Sequence, residues 1–137
     1  MYMKKIPPFA ILTVITLLAA MLLALTNTVT ADPIALAATN AANAARKAVL
    51  VSADTFEALP NDSTVDSLYR GLANGAPVGY AATVTVTGFG GPIEVTVGLN
   101  PEGEVVGLNV GGSAFAETAG LGTKAKEPAF TGQFIGK

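Results

Sequence analysis

Residues 79–110 read GYAATVTVTGFGGPIEVTVGLNPEGEVVGLNV, and their period decides the fold. Tyr80, Ala82, Val84 and Val86 fall on one side of an extended chain, with Thr83, Thr85 and Thr87 on the other. That alternation is the signature of a half-buried strand. Gly88-Phe89-Gly90-Gly91-Pro92 interrupts it, and Ile93, Val95, Val97 and Leu99 then alternate with Glu94, Thr96 and Gly98. Asn100-Pro101-Glu102-Gly103 has the residue order of a type I turn. A third strand over 104–110 closes an antiparallel meander. Upstream, Gly71, Gly75 and Pro77 mark a short strand and turn over 70–78, whereas 56–69 is ambiguous around the Pro60-Asn61-Asp62 turn. The apolar face carried by Tyr80, Ala82, Val84 and Val86 needs a cover. The helical segments preceding it are the available one, so the fold class is α+β.

Outward from the sheet, residues 6–25 are IPPFAILTVITLLAAMLLAL, twenty positions without a charge. About 20 apolar residues at 1.5 Å rise match a hydrocarbon core of ~30 Å. Pro7 and Pro8 stand at the start, where a helix has no use for their missing N–H groups. Lys4 and Lys5 precede the run and no basic residue follows until Arg46. The positive-inside rule then puts the N-terminus in the cytoplasm and the rest outside the plasma membrane, as a single-pass protein. The alternative is a cleaved signal peptide with Val29-Thr30-Ala31 as its small-residue site, against which the apolar run is longer than a signal core. Asp32-Pro33 reads as a fresh helix start, and 34–51 is an Ala-rich helix with Arg46-Lys47 near its C-terminal end. The expected organisation is an N-terminus and transmembrane anchor over 1–31, a stalk helix over 32–52 and an extracytoplasmic domain over 53–137.

Composition excludes much chemistry. The 137 residues contain no Cys, His or Trp. Haem, iron–sulfur clusters, the usual zinc sites and imidazole-based nucleophilic triads therefore have no ligands or bases, and no metal site is expected. Net charge is −2, and without Lys4 and Lys5 six basic residues face ten acidic ones. Such a surface repels phosphate backbones, so nucleic acid is not a partner. Redox or group-transfer chemistry has to come from an organic cofactor or another chain.

Two glycine-rich stretches carry the remaining chemistry. Gly88-Phe89-Gly90-Gly91-Pro92-Ile93 is, taken alone, a hairpin connection. Glu117-Thr118-Ala119-Gly120-Leu121-Gly122-Thr123-Lys124 gathers two glycines, two hydroxyls, a carboxylate and a lysine in eight residues. Backbone without Cβ can approach a planar ligand closely, and its N–H groups can bond carbonyl or phosphate oxygens. The spacing is neither that of a P-loop nor that of a dinucleotide fingerprint, and an ordinary surface loop before Pro128 has the same features.

This second stretch, with Phe130 and Gln133-Phe134 after it, resembles the flavin-binding loop of the FMN-binding domain family, and within it the G subunits of Rnf ion-translocating electron-transport complexes. Thr30-Ala31-Asp32-Pro33-Ile34 after the anchor, Gly79-Tyr80 and the Gly88–Ile93 segment are similar to the same subunits. The resemblance implies an electron-carrying flavoprotein subunit in a complex that passes electrons between ferredoxin and NAD and couples this to ion translocation. It implies FMN as cofactor and the other membrane subunits of the complex as partners. It assigns Glu117 and Thr118 to polar contacts near the isoalloxazine, and Gly120, Leu121 and Gly122 to close packing. Lys124 would offset negative charge, with Thr123 in support. Two positions depart from the family pattern. Ala119 stands where the family loop has Pro, and the Ser/Thr-Gly-Ala-Thr motif that carries FMN through a phosphoester to its last Thr is absent, which suggests a C-terminally truncated form. The only Ala-Thr pairs are Ala38-Thr39 and Ala82-Thr83. Two alternatives stay open: a stand-alone anchored FMN-binding protein or the C subunit of a sodium-pumping NADH:quinone reductase, and a non-catalytic exported scaffold module.

Overall fold

A computed structural model describes residues 7–61 and 64–137. The chain divides into two compact units, the first ending at Ala37 and the second running from Ala38 to Lys137.

The first unit is helical. Helix α1 spans Pro8–Val49, its first described turn closed by the Ala10 N–H donating to the Pro7 carbonyl at 3.0 Å. In this unit the helix is apolar on every side, and Phe9, Leu12, Leu17, Leu22 and Leu23 are all exposed. A helix apolar all round with nothing packed on it suits a lipid environment, and this is the single helix among the described residues long and apolar enough to cross a membrane. Its hydroxyls are satisfied within the helix. Thr13 donates to the Phe9 carbonyl, Thr16 to Leu12, Thr26 to Leu22 and Thr30 to Thr26. The helix start expected at Asp32-Pro33 is not observed, because α1 continues through Pro33. Pro33 costs one backbone hydrogen bond, but ending a helix and nucleating another costs more when good helix formers lie on both sides.

The second unit is built on a five-stranded antiparallel sheet in the order β1 (Thr55–Leu59), β2 (Ser67–Ala73), β3 (Ala76–Thr87), β4 (Pro92–Leu99), β5 (Val105–Gly111). The meander expected over 79–110 is present as β3, β4 and β5. The turn at Asn100 also forms: the Gly103 N–H donates to the Asn100 carbonyl at 3.0 Å, and the Asn100 side chain accepts the Glu104 N–H at 2.8 Å. The ambiguous stretch 56–69 contributes β1 and the start of β2, with Asp62 and Ser63 outside the described residues.

Register pairs Gly71 with Gly79, Ala81 with Gly98, and Gly98 with Gly107, so one face of the sheet has a floor of glycine and alanine. Val49, Leu50 and Ala53 lie on it, 2%, 2% and 0% exposed. This corrects the expected packing, in which helical segments cover the face of Tyr80, Ala82, Val84 and Val86. Those residues pair with Leu99, Val97, Val95 and Ile93 on the other face, where they stay half-buried or, at Val86, exposed. The reason is steric. Any Cβ at Gly98 or Gly107 would overlap the Val49 main chain, so only a face stripped of side chains lets a helix end descend to backbone contact. Burying Leu50 there contributes about 2 kcal/mol. Arg46 stacks 3.8 Å over the Tyr69 ring and Lys47 donates to the Ala53 carbonyl, which fixes the last turn of α1 on this floor. Thr96, 4% exposed, shares a 3.1 Å hydrogen bond with Thr83 on the same face.

After β5 the chain forms a 3-10 turn (Gly122–Lys126), the short helix α2 (Pro128–Thr131) and a second 3-10 turn (Gly132–Phe134). It then returns to the sheet. The Gly136 N–H donates to the Val105 carbonyl at 2.8 Å and the Val105 N–H to the Lys137 carbonyl at 2.9 Å, so the outer edge of β5 is occupied there.

Candidate functional site

The two glycine-rich stretches meet through one side chain. The β3–β4 hairpin closes as the Gly88 N–H donates to the Gly91 carbonyl at 2.8 Å. At its tip the Gly90 N–H donates to Glu117 Oε1, 27 residues further along the chain, at 2.9 Å. Glu117 is threaded between glycines. A Cβ at Gly88 would overlap its Oε1, and a Cβ at Gly122 would sit 2.7 Å from the Glu117 Cβ. Gly90 leaves room for the Ala116 carbonyl in the same way. Phe89, between these contacts, is 99% exposed.

The remaining site residues form a compact turn. The Thr118 carbonyl accepts the N–H groups of Leu121 (3.2 Å) and Thr123 (3.3 Å), and the Thr123 hydroxyl accepts the Gly120 N–H at 2.9 Å. Gly120 has φ 74°, the left-handed region that side chains avoid. The turn projects Leu121 outward, 73% exposed, and leads into the 3-10 turn with Lys124 on the surface.

An open groove of about 450 Å³ is lined by Leu121, Gly122, Lys124, Ala125, Glu127, Ala129, Phe130 and Gln133. The Phe130 and Phe134 rings meet edge to face at 5.6 Å, and Gln133 donates to the Ala129 carbonyl at 2.9 Å. The structure thus brings Leu121, Gly122 and Lys124 together with Phe130 and Gln133. Thr118 and Thr123 support the turn. Glu117 does not line this groove and is turned toward the hairpin. The groove is apolar at Leu121 and Phe130, carries one cation, Lys124, and one carboxylate, Glu127, and is within the size range of small-molecule sites.

A second cleft of about 470 Å³ lies between the Ala41, Ala45 and Ala48 side of α1 and the polar groups Glu94, Asn109 and Lys126. Lys126 stacks 3.7 Å over the Phe115 ring. Nothing in local spacing marks this cleft, since it joins residues 41 to 126. Among the described residues no cluster of His, Cys, Asp and Glu could hold a metal ion.

Of the two Ala-Thr pairs, Thr39 lies within α1 and Thr83 is engaged with Thr96 inside the sheet. Neither lies along the groove.

No family model matches the chain. Among curated proteins it is similar to the G subunit of the Na(+)-translocating ferredoxin:NAD(+) oxidoreductase complex of Acetobacterium woodii, 35% identical over 142 residues, covering 93% of this chain and 67% of the relative. It is 31% identical over 101 residues to the G subunit of the proton-translocating ferredoxin:NAD(+) oxidoreductase complex of Clostridium ljungdahlii, covering 69% and 54%. To the G subunit of the ion-translocating oxidoreductase complex of Methanosarcina acetivorans it is 32% identical over 130 residues, covering 89% and 68%. It spans about two thirds of the length of the first and third relatives and about half of the second. With its apolar helix, antiparallel sheet and glycine-rich loop in this order, the chain belongs to the family of G subunits of the ion-translocating ferredoxin:NAD(+) oxidoreductase complexes.

Proposed function

We propose that this chain is the electron-carrying subunit of a membrane-bound ion-translocating ferredoxin:NAD oxidoreductase, and that it works with a flavin mononucleotide at the groove beside the 117–124 loop. The anchor orientation inferred from Lys4 and Lys5 puts the groove outside the cytoplasm, and the other membrane subunits of the complex are its partners. The observation that carries the reading is the groove itself. Its apolar residues, Leu121 and Phe130, suit a planar aromatic ring, and Lys124 offers that ring a positive charge alongside the Glu127 carboxylate.

Leu121, Phe130 and Lys124 are the residues present that would hold a flavin at the groove. A flavin supplies one- and two-electron redox chemistry when bound. Leu121 and Phe130 keep water from one face of the ligand. The Lys124 ammonium favours the reduced, more negative form by Coulomb attraction, screened by solvent because the side chain is exposed. The Thr118–Thr123 turn holds Leu121 outward at no further ordering cost on binding, because its hydrogen bonds are already made.

The test is titration of the full chain in detergent with FMN, read by quenching of flavin fluorescence. Saturable binding is expected, weakened about tenfold when Leu121→Ala and Phe130→Ala are combined, a loss of about 1.4 kcal/mol. Lys124→Gln should lower the reduction potential of the bound flavin. Absence of saturable binding, or binding indifferent to all three residues, overturns the reading.

A further inference from the structure

We propose that Arg46 and Lys47 form an oxyanion site: the cleft they share with Thr55 takes a phosphoryl group, borne by a small phosphate ester or a lipid headgroup. The site is independent of the flavin reading, since no residue lining this cleft lines the groove.

The cleft, of about 550 Å³, lies where the last turns of α1 meet the start of β1, with Tyr69 of β2 beside them. Arg46 is held in place before any ligand arrives. Its guanidinium lies 3.8 Å over the Tyr69 ring, and Nη1 donates to Asn43 Oδ1. Its Nε is buried and has no hydrogen-bond partner, alone in this among the described residues. A buried donor left so is costly, and native proteins rarely keep one without a ligand, an ion or a water to meet it.

No carboxylate claims the charge either. Of the two arginines in the sequence, Arg70 pairs with Glu57 at 3.7 Å, whereas Arg46 makes no ion pair among the described residues. Asp54 also lines the cleft, but its carboxylate accepts the Asn74 N–H at 3.4 Å, in the β2–β3 turn. The last turn of a helix favours cations, which accounts for the charge of Arg46 and Lys47. It does not account for the unpartnered Nε.

The donor set selects the anion. Nε and Nη2 form the guanidinium edge that meets two oxygens of an oxyanion in parallel hydrogen bonds. A carboxylate has no oxygen beyond those. A phosphoryl group has a further oxygen for Lys47, which spends one of its donors on the Ala53 carbonyl, and for the Thr55 hydroxyl.

The experiment follows the arginine Nε–H groups of the full chain in detergent by nuclear magnetic resonance, with Arg70 as the internal control. Inorganic phosphate is expected to shift the Arg46 signal saturably and to slow exchange of its Nε hydrogen about tenfold, with Arg70 unmoved. Acetate at equal ionic strength should move the Arg46 signal about a third as far or less. Arg46→Lys keeps the charge without the fork and should weaken phosphate binding about tenfold, read from broadening of the phosphorus signal. Because Arg46 also packs on Tyr69, Thr55→Val is the second variant, and it should weaken binding about threefold. Glycerol phosphate, and nanodiscs with and without phosphatidic acid, separate the two bearers. A response to either upholds the site, and indifference to both overturns it. An Arg46 signal indifferent to phosphate overturns the proposal, as does equal movement of both arginines, which is charge screening alone. So does a response to acetate as large as that to phosphate, or phosphate binding unchanged in both R46K and T55V.

Discussion

Under the last turn of α1, Gly71, Gly98 and Gly107 face a buried main chain and the side chains of Leu50 and Ala53, whereas Gly88, Gly90 and Gly122 face the half-buried Glu117, its neighbour Ala116 and Ile93 of β4. Both regions exploit a missing Cβ to let two segments approach. They differ in what the approach achieves. On the floor, the gain is close packing of Val49, Leu50 and Ala53 in a buried core. Around Glu117, the gain is a single hydrogen bond between loops that water can reach, so little folding energy is at stake and much geometry is. A residue type that looks uniform in the sequence therefore serves stability in one place and positioning in the other.

That contrast can be broken by substitution. The largest effect is expected at Leu50→Ala, which leaves a cavity over the glycine floor and should cost about 3 kcal/mol in chemical denaturation of the full chain in detergent. A value below about 1 kcal/mol would mean that the helix end and sheet do not share a core. Gly98→Ala comes next. Its Cβ would press on the Val49 carbonyl carbon, 2.7 Å away, and backbone cannot rotate aside as a side chain can. We expect a loss of about 2 kcal/mol, read as a lower midpoint in the same denaturation. Glu117→Ala should cost only about 1 kcal/mol by that measure, since the hydrogen bond it removes is exposed. Smallest is Phe89→Ala, which should leave stability within about 0.5 kcal/mol because the ring is 99% exposed. Should F89A destabilise as much as G98A, the hairpin tip belongs to the core and the distinction between the two regions collapses.

Much of the architecture was readable residue by residue. The two-residue period over 79–110 yields β3, β4 and β5 because a half-buried strand must alternate. Asn100-Pro101-Glu102-Gly103 forms its turn because the Asn side chain and the glycine at φ 90° meet local requirements. β1 was not readable: TFEAL alternates over only four residues before Leu59 breaks the pattern, and its place comes from pairing with β2. The choice of packed face also went the other way. Branched apolar residues advertise one face, but the helix end needed the bare one. At the site, the loop 117–124 stood out by composition only as a glycine-rich surface loop, and its link to Phe130 and Gln133 came from the family resemblance. The engagement of Glu117 with Gly90 was not, because no local rule links residues 27 positions apart.

What the sequence determined by itself are the properties set by near neighbours: an apolar helix fit for a membrane, an antiparallel meander, and the absence of imidazole and thiolate chemistry. Those follow from hydropathy, period and composition, which act over a few residues. Which face of the sheet receives the helix end, and where the Glu117 carboxylate points, were decided only in three dimensions. Both depend on space left by glycines from distant strands and loops, and such space exists only once the chain has folded around it.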